Sequence, residues 1–503
     1  LEERSTPSLQ TNFVKQPIEL TFDEWVEVQD VFNQVVISPP LEYRHDVRLK
    51  RRTVIFEFDE REELRPEATY TINFGEAVRD LTERNPAENL RFVFSTGDFI
   101  DSLSVGGKIV DAQTADPVDG VLFMLYDNLS DTVVRKQRPF YFARTDTSGR
   151  FLIENVKAGT FKGFALKDAN RNYRFDQAQE PIGFPDSLLV VSDTSRPEVF
   201  IRLFTEEQPL RLLDKDDSRY GLLRLSFNRP IPDLGVAFSH QDVGQQIIYE
   251  IAPDTVKVWY DLPEEKAWKL FLAQDTLFQD TVQVRARSRS RFLEQAELKL
   301  ARAGAQVTNF NPSRPIEIVF NHPIAEYDTS FIRFYEDTLL TVVEPLLTLD
   351  TNGQRRLVFS HPWKEGLPYQ MELLPGAFTD IYGLQNDTIT QAYRAELRKN
   401  YGNLTLTLDS LSAEQQYIVE LLDRSDKVVE RFLVRDTPSY QREFRALPPG
   451  NYSVRIITDW NANGRWDSGK YDLYRQPEPI LTQPLEQQLR ANWDLDATVI
   501  FRD

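Results

Sequence analysis

The residues with the most chemical content lie in two loops that repeat one another. The first reads Asp168-x-Asn170-x-Asn172-x-Arg174-x-Asp176 and is followed by Glu180. The second reads Asp459-x-Asn461-x-Asn463-Gly464-Arg465-x-Asp467 and is followed by Asp472. Hard Ca2+ takes about six to eight oxygen ligands, and alternating Asp and Asn on a tightly curled loop turn carboxylate and amide oxygens toward one centre. Positions 1, 3, 5 and 9 are filled in both loops, and the backbone carbonyl of Arg174 or Arg465 would serve position 7. The last, bidentate ligand is expected late, from Glu180 or Asp472. Gly464 suits the sharp turn at position 6, whereas Tyr173 does not. Phe175 and Trp466 at position 8 would pin each loop to the sheet beneath. The pattern predicts up to two structural Ca2+ ions, since no histidine, nucleophile or base lies nearby in sequence. The plainer alternative is that Asp and Asn favour Asx-turns and left-handed backbone with no metal at all.

A second charged pattern is VRARSRSRF, with Arg285, Arg287, Arg289 and Arg291. Period-two spacing on a strand would place all four guanidinium groups on one face, a strip for lipopolysaccharide phosphates or an acidic protein partner. The preferred reading is cross-strand pairing with the chain's own acids, because 78 Asp and Glu face 59 Lys and Arg. Seven Trp could stack on sugars. However, Trp25, Trp259, Trp268, Trp363 and Trp493 are scattered, as core or interface anchors of β-sandwiches are. Acidic pairs such as Glu60/Glu62/Glu63 and Asp214/Asp216/Asp217 abound, but acid–base catalysis needs two that converge in a cleft. Of the four histidines, His45, His240, His322 and His361, none neighbours another, and His322 and His361 read as turn residues. No nucleophile elbow, P-loop, zincin or dinucleotide fingerprint occurs, so the chain is read as non-enzymatic.

These side chains need a scaffold, and composition bounds it. The net charge of −19 argues against nucleic acid as a partner and against docking on an anionic bilayer through basicity. Hydrophobic residues at 41% and aromatics at 12% describe a folded chain. The absence of cysteine removes thiol nucleophiles, disulfides and iron–sulfur clusters, and it is compatible with an oxidising compartment. The longest dense apolar run, Val121–Tyr126, falls far short of the ~20 residues of a membrane helix. Residues 1–12 read as a linker left after processing.

Strand signals dominate. Thr53–Phe58, Tyr70–Phe74, Leu90–Phe94 and Asn403–Leu408 alternate or nearly alternate, and in the last Leu404, Leu406 and Leu408 share a face. Helical candidates such as Glu76–Thr82 are a turn or two long. Internal repeats divide the chain further. PIELTFDE (17–24), LLRLSFNRPI (222–231) and PIEIVFNHPI (315–324) mark one unit type at 1–98, 206–300 (a degenerate copy) and 301–399. GTFKGFALKDANRN and GNYSVRIITDWNAN mark a second at 99–205 and 400–503. Short linkers are expected at Ser95–Asp101, Leu203–Pro209 and Leu397–Gly402. The whole reads as an all-β tandem array of β-sandwich domains.

FDEWVEVQD (22–30), TYTINFGEAVRDLTERNP (69–86) and FVFSTGD (92–98) resemble the bacterial immunoglobulin-like domain first defined in S-layer proteins. GKIVDAQTADPVDGVLFMLYD (107–127) and TDTSGRFLIENVKAGTF (145–161) resemble the prealbumin-like, carboxypeptidase-regulatory-like sandwich, related to the B repeats of Gram-positive adhesins. The order of the two at the N-terminus is similar to that of a group of Bacteroidota outer-membrane lipoproteins. That resemblance implies Ig-like and prealbumin-like folds, a lipid anchor upstream of Leu1, and an address at the outer membrane, on the cell surface or its periplasmic face. It also supports calcium, since adhesin B repeats carry D-x-N-x-N-G loops.

The function expected from all this is a scaffold or accessory subunit docked on an outer-membrane β-barrel protein and its associated lipoproteins, in an assembly, secretion or uptake machine. Its alternative is a calcium-dependent adhesin or glycan-binding surface protein.

Overall fold

The computed structural model describes the chain except residues 88–89, 195–196, 232–234, 239–246, 263–266, 275–277, 302–306 and 502–503, and it describes no side chain at 33 or 235–238. His240 thus lies outside the described residues. Strands carry nearly all the regular structure, and the three α-helical segments, Val31–Gln34, Val133–Lys136 and Arg289–Leu293, are four or five residues long. The chain forms two compact units. One holds residues 1–207, 414–419 and 455–482; the other holds 208–413, 420–454 and 483–503.

In the first unit, strand Thr53–Glu57 lies between Ile18–Thr21 and Asp46–Lys50, and Thr69–Asn73 lies between Val36–Ser38 and Arg91–Ser95. Alternation does this locally. Tyr70 and Ile72 point inward and pair across the ladder with Phe94 and Phe92, and the Tyr70 and Phe94 rings stack at 5.1 Å. The helical turn expected over Glu76–Thr82 is instead the strand Val78–Asp80, paired with Val26–Val28. Ala77 and Val78 are fully buried, and a helix this short has no packing or nucleation advantage to set against a ladder.

The next stretch builds one sheet in the order Tyr141–Arg144, Leu122–Tyr126, Gly159–Leu166, Ile182–Gly183, with Leu189–Val191 also on Gly159–Leu166. Its partner sheet centres on Leu103–Asp111, with Arg150–Val156 antiparallel and Glu198–Leu203 parallel to it. The apolar run Val121–Tyr126 is buried on both faces. Val121, Phe123 and Leu125 enter the core between the sheets, while Leu122, Met124 and Tyr126 join a second apolar cluster on the outside.

In the second unit, Leu222–Phe227 and Thr255–Tyr260 are the inner strands of a four-stranded sheet flanked by Leu212–Asp216 and Ile247–Ala252. A five-stranded sheet runs Val307–Phe310, Ile389–Ala395, Pro368–Leu373, Ile332–Glu336, Thr341–Val343, and faces a three-stranded one ending in Leu346–Leu349. Gly402–Asp409 lies between antiparallel Tyr440–Leu447 and parallel Asp494–Ile500, the same pattern as around Leu103–Asp111. Leu404, Leu406 and Leu408 are all fully buried there, as their alternation with Thr405 and Thr407 predicts.

Candidate functional site

The first acidic loop follows strand Gly159–Leu166. Asp168 accepts the N–H groups of Asn172 and Tyr173, at 3.3 and 2.7 Å. Tyr173 takes a left-handed backbone, φ 62°, where a glycine would carry no steric cost. The Asn170 and Asn172 amides donate to the two oxygens of Asp176, at 3.0 and 2.6 Å. Glu180 is buried and turned inward. Its Oε1 accepts Ala169 N–H at 2.9 Å, and its Oε2 accepts Gln177 and Asp176 N–H at 3.2 and 3.4 Å.

The second loop repeats this pattern. Asp459 accepts from Asn463 and Gly464 N–H, at 3.1 and 2.7 Å, and Gly464 has φ 74°. Asn461 and Asn463 donate to Asp467 Oδ2 at 2.5 and 2.8 Å. The inward acid is Glu478, which accepts Trp460 and Asp467 N–H, both at 2.8 Å. Burial, with the charges of Asp467 and Asp459 beside it, pushes the Glu478 carboxyl above the ordinary glutamate range, against the pull of those two donors.

Asp472, expected as the last ligand of this loop, is therefore not part of it. It sits on the 3-10 turn Tyr471–Leu473 and pairs with Arg135 at 3.0 Å. The reason is an insertion of seven residues: the tripeptide Glu-Pro-Ile begins four residues after Asp176 but eleven after Asp467. The shared tripeptide, Glu180-Pro181-Ile182 and Glu478-Pro479-Ile480, marks Glu478 as the equivalent of Glu180 in the sequence itself.

The donor chemistry of both loops, carboxylate and amide oxygen, fits a hard cation. Their arrangement meets its demands less fully. Among the described residues, no three Asp, Glu or His side chains group closely enough to hold an ion. Asn172 and Asn463 Oδ1 accept the N–H of Arg174 and Arg465, at 2.7 and 2.9 Å, and Arg465 Nε stands 3.3 Å from Asp467 Oδ1. Calcium in the second loop would require Asn461 and Asn463 to present oxygen where they now donate nitrogen.

The insertion has its own seat in the first unit. Tyr471 is buried among Phe164, Phe175 and Phe184, with ring centroids 5.7, 5.6 and 6.2 Å away. Its hydroxyl donates to the Asp131 carbonyl, and its N–H donates to Glu206 Oε1 at 2.6 Å. Arg135 lies over both the Phe175 and Tyr471 rings, at 4.6 and 5.1 Å. Ser468 Oγ donates to the Thr205 carbonyl at 2.6 Å, and Gln476 Nε2 donates to the Phe184 carbonyl at 2.8 Å. The start of the linker expected at Leu203–Pro209 is thereby held down. Phe175 does anchor its loop, as its position implied. Nothing in the spacing announced Tyr471 as the residue that joins the two loops.

The four arginines do not form a strip. Strand Phe278–Val284 ends before Arg285, and Arg289–Leu293 is helical, capped by the Ser288 hydroxyl, so period two is lost. Arg287 Nε donates to the Asp217 carbonyl at 2.9 Å. Arg289 forms a fork with Asp261, at 2.7 and 2.8 Å, and reaches the Tyr382 carbonyl at 3.2 Å. Arg285 and Arg291 are exposed. Pairing with the chain's own acids is what Arg287 and Arg289 do. His322, read as a turn residue, is buried with its Nδ1 2.8 Å from Asp380 Oδ2.

A different feature faces outward in the second unit. Thr341–Val343 is the last strand of its five-stranded sheet, and Leu346–Leu349 is the last strand of the facing sheet. On the turn leading into the first of them and along both, Leu339, Leu340, Val342 and Leu346 are exposed, at 85%, 53%, 64% and 71%, while Val343, Leu347 and Leu349 pack on the core. Two adjacent open edges thus carry aliphatic side chains into solvent.

Residues 3–96 match the bacterial Ig-like domain family. No curated protein matches the chain. Among solved structures, the chain is similar to BcpA, the major pilin subunit of Bacillus cereus, at 9% identity over 80% of this chain and 99% of that one, with a TM-score of 0.15. It is also similar to SGBP-B of a Bacteroides ovatus mixed-linkage glucan utilization locus, at 9% identity over 78% and 94%, with a TM-score of 0.16. The surface layer protein SbsC, domains 1–6, is similar at 10% identity over 90% and 65%, with a TM-score of 0.14. Scores this low say nothing about domain arrangement or activity. Among the described residues, no helix is long and apolar enough to cross a membrane, which leaves strand-built membrane spans unaddressed.

Proposed function

We propose that the chain is a non-catalytic protein of the cell surface, held at the outer membrane by a lipid upstream of Leu1, and that it works as an accessory subunit docked on an outer-membrane β-barrel protein. The observation that supports this most is the pair of open edges at Thr341–Val343 and Leu346–Leu349 with their exposed aliphatics. An exposed apolar edge is an aggregation hazard that proteins ordinarily blunt with charge, proline or a cover. Left open, its outward N–H and C=O groups, unpaired among the described residues, suit an added strand, and its alternate side chains suit an apolar partner surface. The Ig-like match over residues 3–96 is in keeping with a protein built for display. A calcium ion in either acidic loop would be structural, since Asp168 and Asp459 hold their loops' own main chain.

The test is a mild-detergent pulldown of the tagged native protein from membranes, with bound proteins identified by mass spectrometry. A stoichiometric barrel protein is expected, and it should be lost from a Val342→Lys/Leu346→Lys double variant that melts like the wild type. A chain that comes out alone would sink the docking role and move weight to the adhesin alternative.

A further inference from the structure

Where residues 97–103 pass from the Ig-like stretch into the next sandwich, the first unit has an open cleft of about 540 Å³. Ligand clefts run from about 300 to 1,000 Å³ and combine apolar walls with a few convergent polar groups. This one has both. Phe99 stands at its rim, 60% exposed, and Phe140 forms a wall. Glu67, Asp193, Lys157 and Asp101 supply the charge.

Asp101 is the informative residue. It is 8% exposed. Its Oδ2 accepts the Thr69 hydroxyl at 2.9 Å, its N–H donates to Thr69 Oγ1 at 2.9 Å, and its carbonyl accepts Asn155 Nδ2 at 2.8 Å. Among the described residues, its Oδ1 takes no hydrogen bond. That oxygen is not among the buried polar atoms left without a partner; it keeps access to solvent on a residue that lines the cleft, where a ligand donor can reach it. Burial raises the Asp101 carboxyl above the ordinary range, with Thr69 and the Lys157 charge opposing.

The neighbours narrow what could supply that donor. An anion would meet three carboxylates against one ammonium. A cation would be drawn by those carboxylates but would meet two positive groups already on the Phe140 ring, Lys157 Nζ at 4.1 Å and Arg65 Cζ at 4.8 Å from its centroid, and spermidine tests it directly. A wholly apolar ligand would leave Asp101 unsatisfied. A pyranose meets each condition. One hydroxyl donates to Asp101 Oδ1, a neighbouring hydroxyl accepts from Lys157, and the C–H face of the ring lies on Phe99.

We propose that this cleft binds a neutral saccharide, with Phe99 as the stacking platform and Asp101 and Lys157 as the hydroxyl partners. The site belongs to the first unit and the docking edge to the second.

The experiment is calorimetric and saturation-transfer NMR titration of the full chain with cellotriose, maltotriose and tri-N-acetylchitotriose, with trigalacturonate and spermidine as charged controls. At least one neutral trisaccharide should bind. Phe99→Ala, a change at an exposed ring, should weaken it by about tenfold or more with the melting temperature unmoved. Asp101→Asn should weaken the same ligand. Preference for trigalacturonate or spermidine would overturn the ligand class. Neutral binding untouched by both variants would overturn the site, and no binding across the panel would overturn the proposal.

Discussion

Glu180 and Glu478 make the same pair of contacts in two loops that lie far apart in the chain. Each carboxylate accepts one N–H from the residue after the loop's first Asp, Ala169 or Trp460, and one from the closing Asp, Asp176 or Asp467. Each loop is thus tied at both ends by one buried side chain. This is the economical way to satisfy main-chain donors that the tight turn leaves without a ladder. The second loop then uses its extra residues to place Tyr471 against the first.

That seat should dominate the stability of the paired loops. Tyr471→Ala removes a buried ring packed on three aromatics and should cost roughly 3–5 kcal/mol in urea unfolding. Leu473→Ala, at a residue 67% exposed on the same turn, should cost less than about 0.5 kcal/mol. Equal effects from the two would show that Tyr471 has no such role.

The raised carboxyl of Glu478 sets a pH dependence. A carboxyl whose folded pKa lies above its unfolded value stabilises the native state when protonated. That contribution is fully present below the unfolded pKa of about 4.3 and is lost as pH rises through the folded value. Glu478→Gln is neutral throughout and gives up one acceptor, so it should be offset from the wild type at every pH. The difference in urea midpoint should nevertheless move in the variant's favour as pH rises above the unfolded value of about 4.3. A difference that stays constant would mean the carboxyl is not raised.

Calcium has a defined signature. Affinity follows ligand charge, and a loop offering two Asp and two Asn side chains belongs with weak extracellular sites, at a Kd of about 10⁻⁴–10⁻³ M. The melting temperature should therefore rise only as calcium passes through that range, and Asn461→Ala/Asn463→Ala should remove the second loop's share. A melting temperature indifferent to calcium and chelator would leave closure to the hydrogen bonds alone.

The arginines can be separated by substitution. Arg289→Ala breaks a bidentate pair with the half-buried Asp261 and should cost about 1–3 kcal/mol. Arg291→Ala, at an exposed position, should stay within about 0.5 kcal/mol. If neither changes stability but both weaken binding to lipopolysaccharide, the strip would be functional after all.

Side-chain alternation in strands such as Gly402–Asp409, and the repeated pattern of the acidic loops, were legible in the residues alone, because period two and Asx-turns are local rules that any strand or loop must obey. Those same rules misplaced the arginines. Period two holds only while the backbone stays extended, and the strand ends at Val284 where Ser288 caps a helix. They also misassigned Asp472, because sequence distance counts an inserted turn that three dimensions bulge aside. The partners of Tyr471, the place of Asp101 in the lining of its cleft and the open edges at Thr341–Val343 and Leu346–Leu349 were decided only by tertiary structure. Each depends on which surfaces meet after the chain has folded, and burial of one face against another is a non-local quantity that local pattern does not encode.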